Sequence, residues 1–222
     1  MLFGAYSMGA PADTAKCCRP PVTISSLIGV FLASLDSPNL AWDEYSHRVG
    51  FAEVEVVSMM AQLLGYDPER AGGMLTFGGT GTTLYGMKFG LKKSLPGSME
   101  HGIREDPVML SSDSSHYCRY NIAGWLGLGS HNLITIPTTI HNEIDLKVLR
   151  EEGVQSLQAG RKIVGMIATL GTTDTFGLDD LQGMVRFRNE LVQEFSLPYC
   201  PHIHADASLD GHGPSLPTIT LK

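Results

Sequence analysis

Apolar positions along the chain recur at two different periods, and the alternation between them predicts the fold. Val54, Val57, Met60, Ala61 and Leu64 fall at i, i+3, i+4 spacing, so 51–64 is expected to be an amphipathic helix stopped by Gly65 and Pro68. Residues 74–77 form a short apolar run, read as a strand, that ends at Gly78-Gly79. A helical pattern follows over 82–93 and closes near Pro96-Gly97. The run 108–111 suits a buried strand, 116–128 a helix rich in small residues, and 133–136 a strand closed by Pro137. Asp145 is placed to cap a helix that runs to about residue 158. Residues 163–169 are apolar and β-branched, the strongest strand signal in the chain; a helix over 181–195 and a short strand over 202–206 complete the series. Strands alternating with helices of this length require crossover connections, which makes the fold α/β with a mostly parallel sheet sandwiched by helices.

Composition narrows the partners. The 222 residues are 43% hydrophobic and 18% charged, enough for one large domain with a real core. The formal net charge is -7, without the basic field that nucleic acid or an anionic membrane surface needs, so neither is expected as a partner. The apolar stretch 22–35 is shorter than the ~17–25 residues that span a bilayer. It is expected to be a buried helix, or an arm (1–40) packing on a partner subunit. Cys17, Cys18, Cys118 and Cys200 form no CxxC pair, so reduced thiols and a cytosolic setting are expected.

In a parallel sheet, ligands sit outside the carboxyl ends of the strands. Four polar loops fall there: GGTGTT at 78–83, SDSSHY at 112–117, TLGTTD at 169–174 and HADAS at 204–208. The glycines of 78–83 allow close approach, and the amides of a helix start favour a phosphate; a tight turn capped by threonine fits the same residues. His116 suits stacking on a planar ligand or moving a proton, and equally a turn histidine bonded to its neighbours. The hydroxyls at 169–173 either donate to a ligand or cap their own loop. Alternation along 202–206 puts His202, His204 and Asp206 on one face. That set reads as an HxHxD metal site of a hydrolase, although Ala207 stands where such motifs continue with histidine. It also reads as a carboxylate that pairs with a protonated ring nitrogen, or as a buried Asp capping the next turn.

Taken in this order, the motifs from SPNLAWDEYS at 37–46 to about Gly211 resemble the pyridoxal-phosphate-dependent group II decarboxylases, which include glutamate and aromatic amino-acid decarboxylases. The resemblance implies the large domain of the aspartate-aminotransferase-like fold over 41–222, with pyridoxal 5'-phosphate as cofactor and an amino acid as substrate. It implies that Thr80, Gly81 and Thr82 hold the cofactor phosphate, that His116 stacks on the pyridine ring and assists proton return, and that Thr173 lines the cofactor. Asp206 would pair with the pyridine nitrogen, His204 belongs to the family's His-x-Asp segment, and Ser208 stands where the family carries an alanine beneath the ring. A buried carboxylate at Asp206 would keep the ring nitrogen protonated.

The resemblance also sets two expectations about completeness. The family attaches its cofactor to a lysine beyond the Asp segment, commonly after a histidine; Lys222 follows Leu221 and is not assigned that part. The chain is therefore expected to be an incomplete domain, a poor catalyst alone, that forms a homodimer or pairs with a full-length relative. A remnant that only packs or dimerises, and a metal-dependent hydrolase working through His202, His204 and Asp206, are the competing functions.

Overall fold

The structure, a computed structural model, describes residues 22–37, 39–40, 43–46, 48–171 and 177–208. The described residues form two compact units, one up to Leu75 and one from Thr76 onward; the sequence reading divides the chain after residue 40 instead. The first unit is helical: α1 (Ile24–Asp36), α2 (Asp43–Ser46) and α3 (Val49–Leu63). Thr23 caps α1 by accepting from the Ser26 amide, and Ser37 ends it in the left-handed region. The helix over 22–35 is thus present, but the expectation of burial fails, because no residue of α1 is buried. α3 likewise matches the 51–64 prediction while leaving Val54 65% exposed and burying only Ala61. Its Glu53 carboxylate accepts the Leu75 amide at 2.7 Å.

The second unit carries α4 (Gly79–Ser94), α5 (Ser98–His101), β1 (Pro107–Ser112), α6 (Cys118–Trp125), β2 (Leu133–Ile136), α7 (Leu146–Gln158), β3 (Lys162–Thr169), α8 (Leu181–Glu194) and β4 (His202–Asp206). Its four strands are all parallel, in the order β2-β1-β3-β4. Helices cover both faces, as the sequence implies. Met87, Leu91, Cys118 and Ile122 of α4 and α6 pack with Met109, Val164 and Ile167 on one face. Leu149, Met184, Phe187 and Leu191 of α7 and α8 pack with Val108, Leu110, Ile163 and Met166 on the other.

One irregularity matters for the site. Val108 pairs with Ile163 and Met109 with Gly165, so β3 holds an extra residue at Val164. Val164 packs with Met87 of α4, and a Cβ on Gly165 would meet the Met87 methyl as well. α4 therefore lies close against β3 and β4, and its glycines permit this. A side chain at Gly90 would reach the Val164 carbonyl and His202, and one at Gly86 the His204 ring.

Three expectations need correction. The 74–77 run is not a strand, since 71–76 has no ladder partner among the described residues and Met74 and Leu75 are exposed. α4 begins at Gly79, ahead of the expected start at Thr82, so Thr80 and Gly81 lie in its first turn and not before it. α6 runs only from Cys118 to Trp125: Gly127 and Gly129, at φ 75° and 82°, end the helical path, and His116 precedes the helix.

Candidate functional site

β1 connects through α6 to β2, whereas β3 connects through α8 to β4, so the chain leaves these two neighbouring strands in opposite directions. Such a divergence opens a crevice at the carboxyl ends of the pair. Around it the structure gathers most of the predicted residues.

The start of α4 is uncapped. The helical ladder begins with Thr82 N donating to Gly78 O at 3.1 Å, and no side chain among the described residues caps the amides of Gly79, Thr80 and Gly81 that precede it. Gly78 has φ 92°, which a side-chain-bearing residue adopts only with strain. Three N–H groups without a partner among the described residues, at the positive end of a four-turn helix, form an anion cradle. The Thr82 hydroxyl is turned inward, to Gly78 O at 3.2 Å and to the Thr76 hydroxyl at 2.8 Å. Of the three residues predicted to hold a phosphate, Thr80 and Gly81 contribute to the open turn, and Thr82 contributes to its internal bracing.

Asp206 ends β4 beside this turn. Its Oδ1 accepts from the Ser208 hydroxyl at 2.6 Å and the Ser208 amide at 3.3 Å. A Cβ on Gly79 would strike the Ser208 hydroxyl, so the Asp206–Ser208 corner lies directly against the N-terminus of α4. The Cys118 thiol reports the same closeness. Burial pushes it up, the Asp206 charge adds to the rise, and the Thr80 hydroxyl and Arg119 oppose it. Thr80, Asp206 and the start of α6 therefore share one small region. The arrangement suits an elongated ligand with an anionic end at α4 and a cationic ring atom at Asp206, and it fits pyridoxal phosphate in both respects.

His116 stands on the β1 side of the crevice. Its Nδ1 accepts from the Cys118 amide at 3.2 Å, which puts the proton of the neutral ring on Nε2, and its ring lies 4.1 Å from that of Tyr117. Thr173 lies outside the described residues. His202 and His204 face α4, with ring centroids 6.5 Å apart. Burial, then His204, Lys93 and Arg188, push His202 down to about 4. Burial lowers His204 too, against the pull of Asp206. Both rings are thus held neutral. Among the described residues, no three His, Cys, Asp or Glu side chains are grouped to hold a metal ion.

Two polar features were not picked out from sequence. Asp179, 5% exposed, accepts the Thr169 amide on Oδ2 and the Ile144 amide on Oδ1, each at 2.7 Å, and so ties the end of β3 to the β2–α7 connection. Burial pushes its carboxyl up to about 6 against the relief of those two bonds. The available signal was the Asp179-Asp180 pair before a helix, since Asp180 alone supplies the cap, to Gly183 N at 2.8 Å. The second feature is the buried guanidinium of Arg119, whose Nε has no partner among the described residues.

Comparison with known proteins gives the family. The model of the pyridoxal-dependent decarboxylase conserved domain matches residues 20–213. L-2,4-diaminobutyrate decarboxylase of Acinetobacter baumannii is 24% identical over 217 residues, which covers 90% of this chain and 40% of that protein. Glutamate decarboxylase of Drosophila melanogaster is 28% identical over 196 residues, covering 84% of this chain and 35% of that protein. The apo crystal structure of mouse CSAD shares the fold at a TM-score of 0.78 and 19% identity, covering 87% of this chain and 39% of that one. That of Oryza sativa TDC with PLP and tryptamine does so at 0.70 and 18%, covering 82% and 38%. The chain thus spans about 40% or less of the length of these relatives. With most of the sequence inside the matched region, the chain belongs to the pyridoxal-dependent decarboxylases, whose cofactor is pyridoxal phosphate.

Proposed function

We propose that the chain is the cofactor-holding part of a carboxy-lyase acting on an amino acid. The observation that carries this reading is the juxtaposition of the Asp206 corner with the uncapped start of α4. The amides of Gly79, Thr80 and Gly81 would bind the phosphate, and the Thr80 hydroxyl would add a donor. Asp206, kept in place by Ser208, would hold the ring nitrogen in its cationic form through a charge-assisted bond. His116 would cover the other face of the ring and, through Nε2, return a proton to the reacting carbon. His204 would complete the lining. Pyridoxal phosphate, when bound, supplies an electron sink for the pair released as the carboxylate leaves. Fixing the ring at both ends sets its orientation before reaction.

Relatives named for diaminobutyrate and glutamate support an amino acid as substrate. The apolar faces of α1 and α3, with Ile24 78% and Phe51 69% exposed, support a homodimer or pairing with a full-length relative. The free thiols of Cys118 and Cys200 support a cytosolic setting. By itself the chain would turn over slowly: among the described lysines, Lys88, Lys92 and Lys93 lie in the later turns of α4, Lys147 in the first turn of α7 and Lys162 at the amino end of β3.

Spectral titration with pyridoxal phosphate tests the reading. The chain should bind it, Asp206→Asn should weaken binding at least tenfold, and release of CO₂ from amino acids should rise when a full-length relative is added. Absence of binding, or binding indifferent to Asp206→Asn, would leave a chain that only packs.

A further inference from the structure

The cofactor-binding reading leaves a run of buried hydroxyls without a role. Ser115 Oγ lies 2.7 Å from Thr169 Oγ1 and 3.1 Å from Ser112 Oγ. The three residues are 5%, 2% and 0% exposed, so they have each other in place of water. A buried hydroxyl that loses its partner is costly, and the run is satisfied only while its members hold their relative places. The Ser115–Thr169 bond joins residues 54 positions apart and crosses the crevice between β1 and β3.

The two ends of that bond are not equally free. Thr169 is fixed: its amide donates to Asp179 Oδ2 at 2.7 Å, its carbonyl accepts from the Asp179 amide at 3.0 Å, and Asp179 is also tied to Ile144. Ser115 belongs to the turn after β1 and immediately precedes His116. On its other side His116 is held by the Cys118 amide on Nδ1 and by the Arg119 amide on its carbonyl, both bonds from the start of α6. The hydroxyl pair is therefore the direct bond from β3 to the His116 turn. Valine and alanine would fill nearly the same space at 169 and 115, but without a direction or a fixed separation.

We propose that Thr169 and Ser115 are positioning residues that set the stance of the His116 ring over the crevice. The functional consequence rests on the reading of His116 as the ring that covers pyridoxal phosphate, whereas the tie itself can be observed on the protein alone. The experiment uses the whole 222-residue chain with ¹⁵N-labelled histidine rings, the His116 signals being identified by their loss in His116→Asn. Thr169→Val and Ser115→Ala should keep the far-ultraviolet dichroism of the parent but move the His116 ring signals and leave those of His202 and His204 in place. Thr169→Ser should restore the parent positions. Titration with pyridoxal phosphate should show about a tenfold higher Kd for Thr169→Val and recovery for Thr169→Ser.

Unmoved His116 signals in Thr169→Val, or a Thr169→Ser variant that behaves like the valine one, overturns the proposal. If Thr169→Val does not fold, Ser115→Ala, which removes a single oxygen, decides by the same criteria. Unfolding of both also overturns it, because the pair would then be a requirement of the fold. A parent chain that binds no pyridoxal phosphate sinks the cofactor reading, while the ring signals still judge the tie.

Discussion

Replacing Gly90 by alanine should weaken the fold even though alanine is the better helix former. A Cβ at this position would stand 2.5 Å from the Val164 carbonyl oxygen and 2.9 Å from His202 Cβ. Neither neighbour can swing aside, since one is main chain of β3 and the other is the first side-chain atom of a residue paired into β4. Ordinary contact begins near 3.4 Å, so α4 must withdraw by about 1 Å. Withdrawal loosens Met87 and Leu91, both in the core between α4 and the sheet. Overpacking of this kind costs ~1–3 kcal/mol, and alanine returns ~1 kcal/mol of helix propensity. The net expectation is a loss of up to about 2 kcal/mol, or a urea midpoint lower by up to about 1 M for a slope of ~2 kcal/mol/M. Gly124 supplies the control: it lies in α6, is exposed and has nothing within 4 Å of a built Cβ, so Gly124→Ala should raise stability by ~0.5–1 kcal/mol. The same retreat carries the amides of Gly79–Gly81 away from Asp206, so affinity for pyridoxal phosphate should fall in Gly90→Ala and not in Gly124→Ala. A Gly90→Ala chain at least as stable as its parent would refute the reasoning.

Two further expectations follow from buried charge. Asp179 keeps its proton to about 6 because of burial, against an ordinary 3.8, so the stability it contributes is whole below 3.8 and falls by ~3 kcal/mol as pH rises to 6. His202, pushed down to about 4, acts in the opposite sense, whole above its ordinary 6.5 and declining as pH drops toward 4. Asp179→Asn removes the first slope, so urea midpoints at pH 4.5, 5.5 and 6.5 should rise with pH more steeply than in the parent; parallel curves would count against the assignment. Arg119, 6% exposed, donates from Nη2 to Asp113 O at 2.9 Å and to the Tyr120 hydroxyl at 3.4 Å, and no carboxylate among the described residues pairs with it. Replacing it by methionine removes the cost of a buried charge but takes the donor from the Asp113 carbonyl, so the two effects offset and stability should change by no more than ~1–2 kcal/mol. A clearly lower urea midpoint for Arg119→Met would show that the charge has a partner.

The parts of the fold legible in the sequence are those in which one local rule acts without competition. β2 and β4 occupy the expected 133–136 and 202–206, and Asp145 caps α7 by accepting from the amides of Lys147 and Val148, because a short strand paired to one neighbour or a side-chain cap depends on few contacts. Where two rules meet, the local reading fails. The glycines at 79 and 81 argue against a helix by propensity, yet α4 includes them, since the lack of a side chain lets Gly79 lie against the Asp206–Ser208 corner and Gly81 against Thr76 and Phe77. The apolar run at 74–77 has strand composition and no strand beside it among the described residues. α1 and α3 have the right periodicity, but periodicity identifies a face that wants cover without saying what covers it.

The same division runs through the site. Asp206 and the 78–83 turn were paired in the sequence by the order of family motifs, and the close approach of Gly79 to Ser208 gives that pairing a physical basis. Asp179 escaped notice because an aspartate before a helix is already explained as a cap, and only the second of two adjacent aspartates fills that part. Its neighbour is left with a buried carboxylate that binds two main-chain amides from separate loops. A cap needs only its own helix, whereas this carboxylate needs β3 and the β2–α7 connection already in place, so its function exists only in the assembled sheet. Long-range ties of this kind, including the Ser115–Thr169 bond, are what turn a set of polar loops into a crevice of fixed shape.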